Sequence, residues 1–187
     1  MNNYKLIILD FDGTLCATHE AILYCVKRTY KTLNMTVPAH DFIDETIRAG
    51  LGMEKTLLAL SPELTEQQIQ PILDQYEKIY LSEGEQKSAP YSKAGEVLAK
   101  LHAAGYKLAV VSNKAVAAVN TALERFQLKQ YITAVVGDTK TLRKKPDPMA
   151  YTDFIQPKFK EIDPKQNVMV GDTLADLLFA QNIGEDS

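Results

Sequence analysis

The chain is poor in cysteine, has no strong excess of either charge, and contains no long apolar run. Its two cysteines, Cys16 and Cys25, form neither a metal-ligand spacing nor a disulfide framework. They read as small, partly buried hydrophobes. A net charge of -3 gives no electrostatic footprint for nucleic acid or for an anionic membrane surface. There is no run of 18 apolar residues, which excludes a transmembrane helix of the usual kind. No basic-then-apolar signal segment precedes the first strand, so a cytoplasmic setting is expected. Internal repeats and low-complexity tracts are also missing. What remains is an ordinary globular composition, 45% hydrophobic and 24% charged over 187 residues. That length suits one full domain, or a core with an insertion.

The chain is organised around Asp10-Phe11-Asp12-Gly13-Thr14-Leu15. Tyr4-Lys5-Leu6-Ile7-Ile8-Leu9 comes before it and reads as a buried strand of a parallel sheet. Side chains at i and i+2 of an extended chain point to the same side. Asp10 and Asp12 are therefore expected to face one site at the C-terminal edge of the sheet, where ligands of open α/β sheets bind. Two adjacent carboxylates repel each other and are costly to bury unpaired. A hard cation such as Mg²⁺, shared with a phosphate, would remove the conflict. A solvated acidic turn is the plainer alternative, and a lone Asp-x-Asp does not decide between them.

Apolar residues at Ile22, Leu23, Val26, Tyr30 and Leu33 predict a helix over 20–33. Shorter helices follow around Phe42 to Ile47 and over 53–60, separated by Gly50 and Gly52. Thr65-x-x-Gln68 predicts a capping box opening a helix towards Leu81, with Pro71 bending or restarting it. Residues 17–86 thus read as an inserted all-helical domain. From 94 onward the pattern alternates: helix 96–104, strand 106–111 ending at Ser112-Asn113, helix 115–126, strand 132–136, helix 149–159, strand 167–170, and a helix over 174–182. Such alternation predicts an α/β, doubly wound parallel sheet formed by residues 1–16 and 87–187.

Polar residues collect where the predicted strands stop. They are Asp10 and Asp12, then Ser112-Asn113, then Lys144-Lys145-Pro146-Asp147, then Asp172 with Asp176 four residues on. Each has a plainer role: Ser112 and Asp172 as helix caps, Arg143 to Lys145 as a solvated basic loop. Together they make chemical sense on one sheet edge. Carboxylates hold Mg²⁺, a hydroxyl and N–H groups at a helix N-terminus hold phosphate, and a lysine supplies positive charge.

On these residues the chain resembles the haloacid dehalogenase superfamily of phosphohydrolases. Four motifs appear in family order: Asp10-Phe11-Asp12-Gly13-Thr14, Ser112-Asn113, Lys145-Pro146 and Gly171-Asp172-Thr173-x-x-Asp176. The resemblance implies a Rossmann-like core with a small helical cap. Within the superfamily the chain looks most like the phosphoglycolate phosphatase branch, through Val110-Val111-Ser112-Asn113-Lys114 and Lys145-Pro146-Asp147-Pro148. It implies that Asp10 is the nucleophile that forms an aspartyl-phosphate. Asp12 would protonate the leaving oxygen and then activate water. Asp10, the carbonyl of Asp12, and Asp172 would ligate Mg²⁺, with Asp176 supporting that site. Ser112 and the Asn113 N–H would bind phosphate, Lys145 would neutralise charge, and Thr14 would touch the phosphate or cap the turn. The substrate would be a small phosphorylated metabolite, with neither nucleic acid nor membrane as partner, and the protein a monomer or homodimer.

The chain departs from that pattern in three places. Ala17-Thr18 and His19 stand at the cap hinge where relatives carry Asp-Ser, and Tyr91-Ser92-Lys93 stands in place of Tyr-Pro-Gly. Relatives continue past the fourth motif with a further strand and helix, so a core lacking them is expected. Arg48 and Lys55 in the cap are candidates for binding a substrate carboxylate or second phosphate, with a solvated helix face as the plainer reading. His40 and His102 read as surface residues. A phosphosugar mutase of the same superfamily and a catalytically silent binding protein on the same fold are the alternatives.

Overall fold

The computed structural model describes residues 4–139 and 141–187. It divides into two compact units, one running to Ala17 and resuming over Pro90–Ser187, the other spanning Thr18–Ala89. In chain order the elements begin with β1 (Leu6–Leu9), β2 (Cys16–Ala17), α1 (His19–Thr32), α2 (His40–Arg48), α3 (Met53–Leu60) and α4 (Glu66–Ile79). There follow β3 (Ala89–Pro90), α5 (Ala94–Ala103), β4 (Lys107–Ala115), α6 (Val116–Arg125) and β5 (Ala134–Asp138). The chain ends with α7 (Gln156–Lys158), β6 (Asn167–Val170) and α8 (Leu174–Ile183).

The first unit is a parallel sheet in the order β5-β4-β1-β6. Leu6 pairs with Lys107 on one side and Asn167 on the other. Successive β1 side chains pack on opposite faces, as the pleat requires. Leu6 and Ile8 join Val111, Met169, Tyr151, Ile155 and Phe179 in one core cluster. Ile7 and Leu9 join Val110, Leu98, Val119 and Leu123 in another. Both faces are covered, which is why β1 reads as a continuous apolar run rather than an alternating one. Each large side chain buried this way contributes about 1.5–3 kcal/mol.

β4 does not stop at Ser112-Asn113 but continues to Ala115, and α6 begins only at Val116. Ser112 is therefore not a helix cap. The cause is pairing with β5, which resumes at Ala115 opposite Asp138 after a register shift beyond Val111. β5 itself starts at Ala134, after a 3₁₀ turn at Lys129–Tyr131. The helix expected over 149–159 is present, but as a π-helical segment, Ala150–Ile155, followed by the short α7. Pro157 has no N–H for the carbonyl four residues back, and the wider turn precedes it.

The second unit is all helical. Its core is formed by Leu23, Val26 and Tyr30 of α1, Ile43 of α2, Leu57 of α3, and Ile69, Ile72 and Tyr76 of α4. The Tyr30 hydroxyl, inside that core, hydrogen-bonds Ser61 Oγ at 2.7 Å. Thr65 and Gln68 form a capping box on α4. α4 neither stops nor restarts at Pro71 but runs on to Ile79. Burial of Ile69, Ile72, Tyr76 and Ile79 offsets the roughly 3 kcal/mol that an interior proline costs a helix. Gly50 and Gly52, at φ 68° and 84°, turn the chain between α2 and α3. Cys16 and Cys25 are fully rather than partly buried.

Candidate active site

β1 and β6 end side by side, and the Asp10 N–H extends their ladder by donating to the Val170 carbonyl at 2.9 Å. The Asp10 side chain is buried and meets a buried cation. Lys145 Nζ donates to Asp10 Oδ1 at 2.7 Å and to Asp176 Oδ1 at 2.5 Å. Burial is the leading influence on Asp10 and pushes its carboxyl up to about 6, against the lowering pull of Lys145. Burial works against the charge on Lys145 too, but the attraction of Asp10 and Asp176 outweighs it and holds the ammonium above its usual range.

Asn113 grips the backbone of Lys145 on both sides. Lys145 N–H donates to Asn113 Oδ1 at 2.8 Å, and Asn113 Nδ2 donates back to the Lys145 carbonyl at 3.1 Å. Asn182 Nδ2 on α8 adds a bond to the Pro146 carbonyl at 2.8 Å. Asp176 is fixed from the other side. It is the third residue of α8, and its Oδ2 accepts from the Thr173 N–H at 3.0 Å and from Thr173 Oγ1 at 2.6 Å. This capping box leaves Thr173, not Asp172, as the N-cap.

Asp172 lies against the turn after Asp12. Its Oδ1 accepts from Thr14 Oγ1 at 2.9 Å. Gly13, at φ 80°, makes the approach possible: a Cβ there would lie 2.1 Å from Asp172 Oδ2. Burial raises the Asp172 carboxyl, partly countered by the Thr14 bond and reinforced by the charge of Asp176. Oxygens of Asp10, Asp172 and Asp176 all lie within 4.8 Å of one another. Such oxygens suit a hard divalent cation. Both oxygens of Asp176 already accept hydrogen bonds, so Asp10 and Asp172 are the better donors to an ion.

Asp12 has a cation of its own, with Lys114 Nζ 3.3 Å from its Oδ1. Ser112 is buried, and its Oγ accepts from the Lys114 N–H at 3.3 Å. Ser112 and Asn113 lie on β4 rather than at a helix N-terminus, and the Asn113 side chain is engaged with the lysine loop. The basic loop 143–145 is partitioned: Arg143 pairs with Asp147 at 3.1 Å, Lys144 with Asp138 at 2.9 Å, and only Lys145 enters the buried set. Sequence reasoning gave no role to Lys114 or Asp138, although Lys114 directly follows Ser112-Asn113. In the helical unit, Arg48 Nε bonds Asp44 at 2.7 Å, and His19 Nε2 bonds the same carboxylate at 2.6 Å. These bonds, Arg48 first, hold Asp44 down at about 2. Lys55 is exposed on α3, and His40 and His102 are exposed as expected.

The chain matches the family model described as haloacid dehalogenase-like hydrolase over residues 7–187. It belongs to that family. A phosphoglycolate phosphatase from Psychrobacter arcticus is 31% identical to it over 193 residues, covering 98% of this chain and 81% of the relative. One from Agrobacterium fabrum is 31% identical over 180 residues, covering 95% and 76%. The crystal structure of a predicted phosphoglycolate phosphatase from Haemophilus somnus superposes with a TM-score of 0.83 at 27% identity, over 99% of this chain and 84% of that one. A haloacid dehalogenase-like family hydrolase from Streptococcus pneumoniae, at 20% identity and a TM-score of 0.83 over 99% and 83%, shares the fold. Among the described residues no helix is long and apolar enough to cross a membrane.

Proposed function

We propose that the chain is a Mg²⁺-dependent phosphatase that hydrolyses a small phosphomonoester through an aspartyl-phosphate, with phosphoglycolate as the first substrate to test. The observation that carries this reading is the Asp10–Lys145–Asp176 arrangement at the end of β1, two residues before a second carboxylate. Likeness to phosphoglycolate phosphatases from two organisms supports the choice of substrate.

Asp10 attacks phosphorus, and the bond from phosphorus to the ester oxygen breaks. Asp12 gives its proton to the departing alcohol oxygen. Asp12 then takes a proton from water as that water attacks phosphorus, and the bond to Asp10 breaks to release inorganic phosphate. Lys145 neutralises charge that builds on the phosphoryl oxygens while holding Asp10 in place. Ser112 offers a hydroxyl to the phosphate, and Asn113 acts by fixing the lysine loop. Asp10, Asp172 and the Asp12 carbonyl would hold Mg²⁺, which supplies further charge neutralisation. Asp176 positions Lys145 beside them, and Thr14 orients Asp172. The helical unit, residues 18–89, corresponds to the cap implied by the family resemblance.

The test is phosphate release from phosphoglycolate, sugar phosphates, nucleotides and pyrophosphate, with Mg²⁺ and with chelator. Release that needs Mg²⁺ and disappears in Asp10→Asn is expected. Turnover unchanged in Asp10→Asn would remove Asp10 as nucleophile. Activity only in the presence of a sugar bisphosphate activator would point to a mutase instead.

A further inference from the structure

Each member of the Asp10/Asp12 pair has its own lysine, and the two lysines are held differently. Lys145 is shared between two buried carboxylates, and its side chain is 3% exposed. Lys114 reaches Asp12 at 3.3 Å to Oδ1 and 3.4 Å to Oδ2, with side chains 10% and 26% exposed. It stands at the margin of the buried set, beside the carboxylate assigned to the leaving group.

Its position is built into the sheet. The register between β4 and β5 slips between Val111 and Ala115, so Ser112, Asn113 and Lys114 all lie in an irregular stretch. Irregularities of this kind re-aim side chains, and they are common next to active sites. Gly137 of β5 clamps the stretch from outside: a Cβ there would lie 2.8 Å from the Lys114 carbonyl oxygen and 2.7 Å from Val116 Cα. Ser112 Oγ accepts the Lys114 N–H on the inner side.

A general acid works within about 3 Å of the oxygen that it protonates. An ammonium 3.3–3.4 Å from that acid then lies within roughly 6 Å of the leaving oxygen. A substituent one or two carbons along the alcohol spans that distance. We propose that Lys114 is a specificity-determining residue, which receives an anionic group carried by the alcohol of the ester. Because Asp12 names the leaving-group side, this rests on the phosphatase reading above. The selecting cation is then part of the α/β unit. A carboxylate or phosphate there makes charge-assisted bonds to the ammonium, and a neutral alcohol does not.

The test compares kcat/KM for phosphoglycolate, ethanediol bisphosphate and ethyl phosphate, whose alcohol carries no charge, in wild type, Lys114→Gln and Lys114→Arg. The preference for an ester with an anionic alcohol over ethyl phosphate should fall about 10- to 100-fold in Lys114→Gln, or about 1.4–2.7 kcal/mol. It should largely persist in Lys114→Arg, with the loss mostly in KM. The two anionic esters show whether a carboxylate or a phosphate is preferred. An unchanged preference in Lys114→Gln, or a wild type that turns over ethyl phosphate as well as either anionic ester, overturns the proposal while leaving the phosphatase reading intact. Absence of turnover on every phosphomonoester overturns the phosphatase reading, and this proposal with it. If Lys114→Gln does not fold, wild type decides by product inhibition. Glycolate should compete with ethyl phosphate and ethylene glycol should not; equal inhibition by the two overturns the proposal.

Discussion

Replacing Lys145 by methionine keeps most of its length and removes its charge. Lys145 is 4% exposed, and its ammonium bridges Asp10 at 2.7 Å and Asp176 at 2.5 Å. The variant leaves two buried carboxylates facing each other without a counter-charge. Removing one partner of a buried ion pair costs about 3–5 kcal/mol, out of a total stability of about 5–15 kcal/mol. At roughly 2–4 °C per kcal/mol for a domain of this size, the melting temperature falls by about 6–20 °C. The loss depends on pH. Asp10 is already raised from 3.8 to about 6 by burial, with Lys145 opposing the rise. Without Lys145 it rises further. An acid whose folded pKa lies above its unfolded value makes the folded state hold a proton that the unfolded state has released. Stability therefore declines as pH rises from about 4 through the folded pKa, and it levels off above. Each further tenfold gain in the proton affinity of folded Asp10 adds about 1.4 kcal/mol to that decline. The deficit of Lys145→Met should accordingly be greatest near pH 8 and smaller near pH 5. Urea unfolding followed by circular dichroism, in chelator at both pH values, measures it. A deficit under about 1 kcal/mol at the higher pH, or the same deficit at both, would falsify the buried ion-pair account.

Gly13→Ala would place a Cβ 2.1 Å from Asp172 Oδ2, displacing that carboxylate. Calorimetric titration should show Mg²⁺ affinity falling by about 10-fold or more, and unchanged affinity would contradict Asp172 as a ligand. Thr173→Ala removes the hydroxyl that bonds Asp176 at 2.6 Å. It should cost about 0.5–2 kcal/mol in thermal unfolding, with recovery in Thr173→Ser. Glu185 accepts a bond from Asn167 Nδ2 at 2.6 Å, and burial raises it from 4.5 to about 7 despite the bonds from Asn167 and Tyr151. This group makes stability fall as pH rises from about 4.5 to 7. Glu185→Gln should flatten that part of the profile, and an unaltered slope would place the titration elsewhere.

Much of the site was legible because it is local. An apolar run ending in Asp-x-Asp predicts a buried strand with two carboxylates at its edge. Thr65 and Gln68, three apart, cap α4 as their spacing predicts, whereas α8 is capped by Thr173 with Asp176 and not by Asp172. The less legible parts are non-local. β4 outruns its apolar pattern because Ala115 pairs with Asp138, a partner on another strand. The sequence points to the Asn113 N–H as a phosphate ligand but gives no sign that its side chain binds a backbone 32 residues away. Lys144 and Lys145 are adjacent and chemically identical; the family motif singles out Lys145, but the pairing of Lys144 with Asp138 comes from the fold. Arg48 carries no sign in composition of its engagement with Asp44, although the spacing of four residues on a helix permits it.

The central claim is that Asp10 carries the phosphoryl group. Rapid acid quench of the enzyme turning over phosphoglycolate with Mg²⁺, followed by peptide mass spectrometry, tests it most directly. The account predicts a transient phosphoryl adduct on the peptide holding Asp10, absent in Asp10→Asn. Steady phosphate release with no adduct at any quench time, or an adduct on another residue, would contradict it.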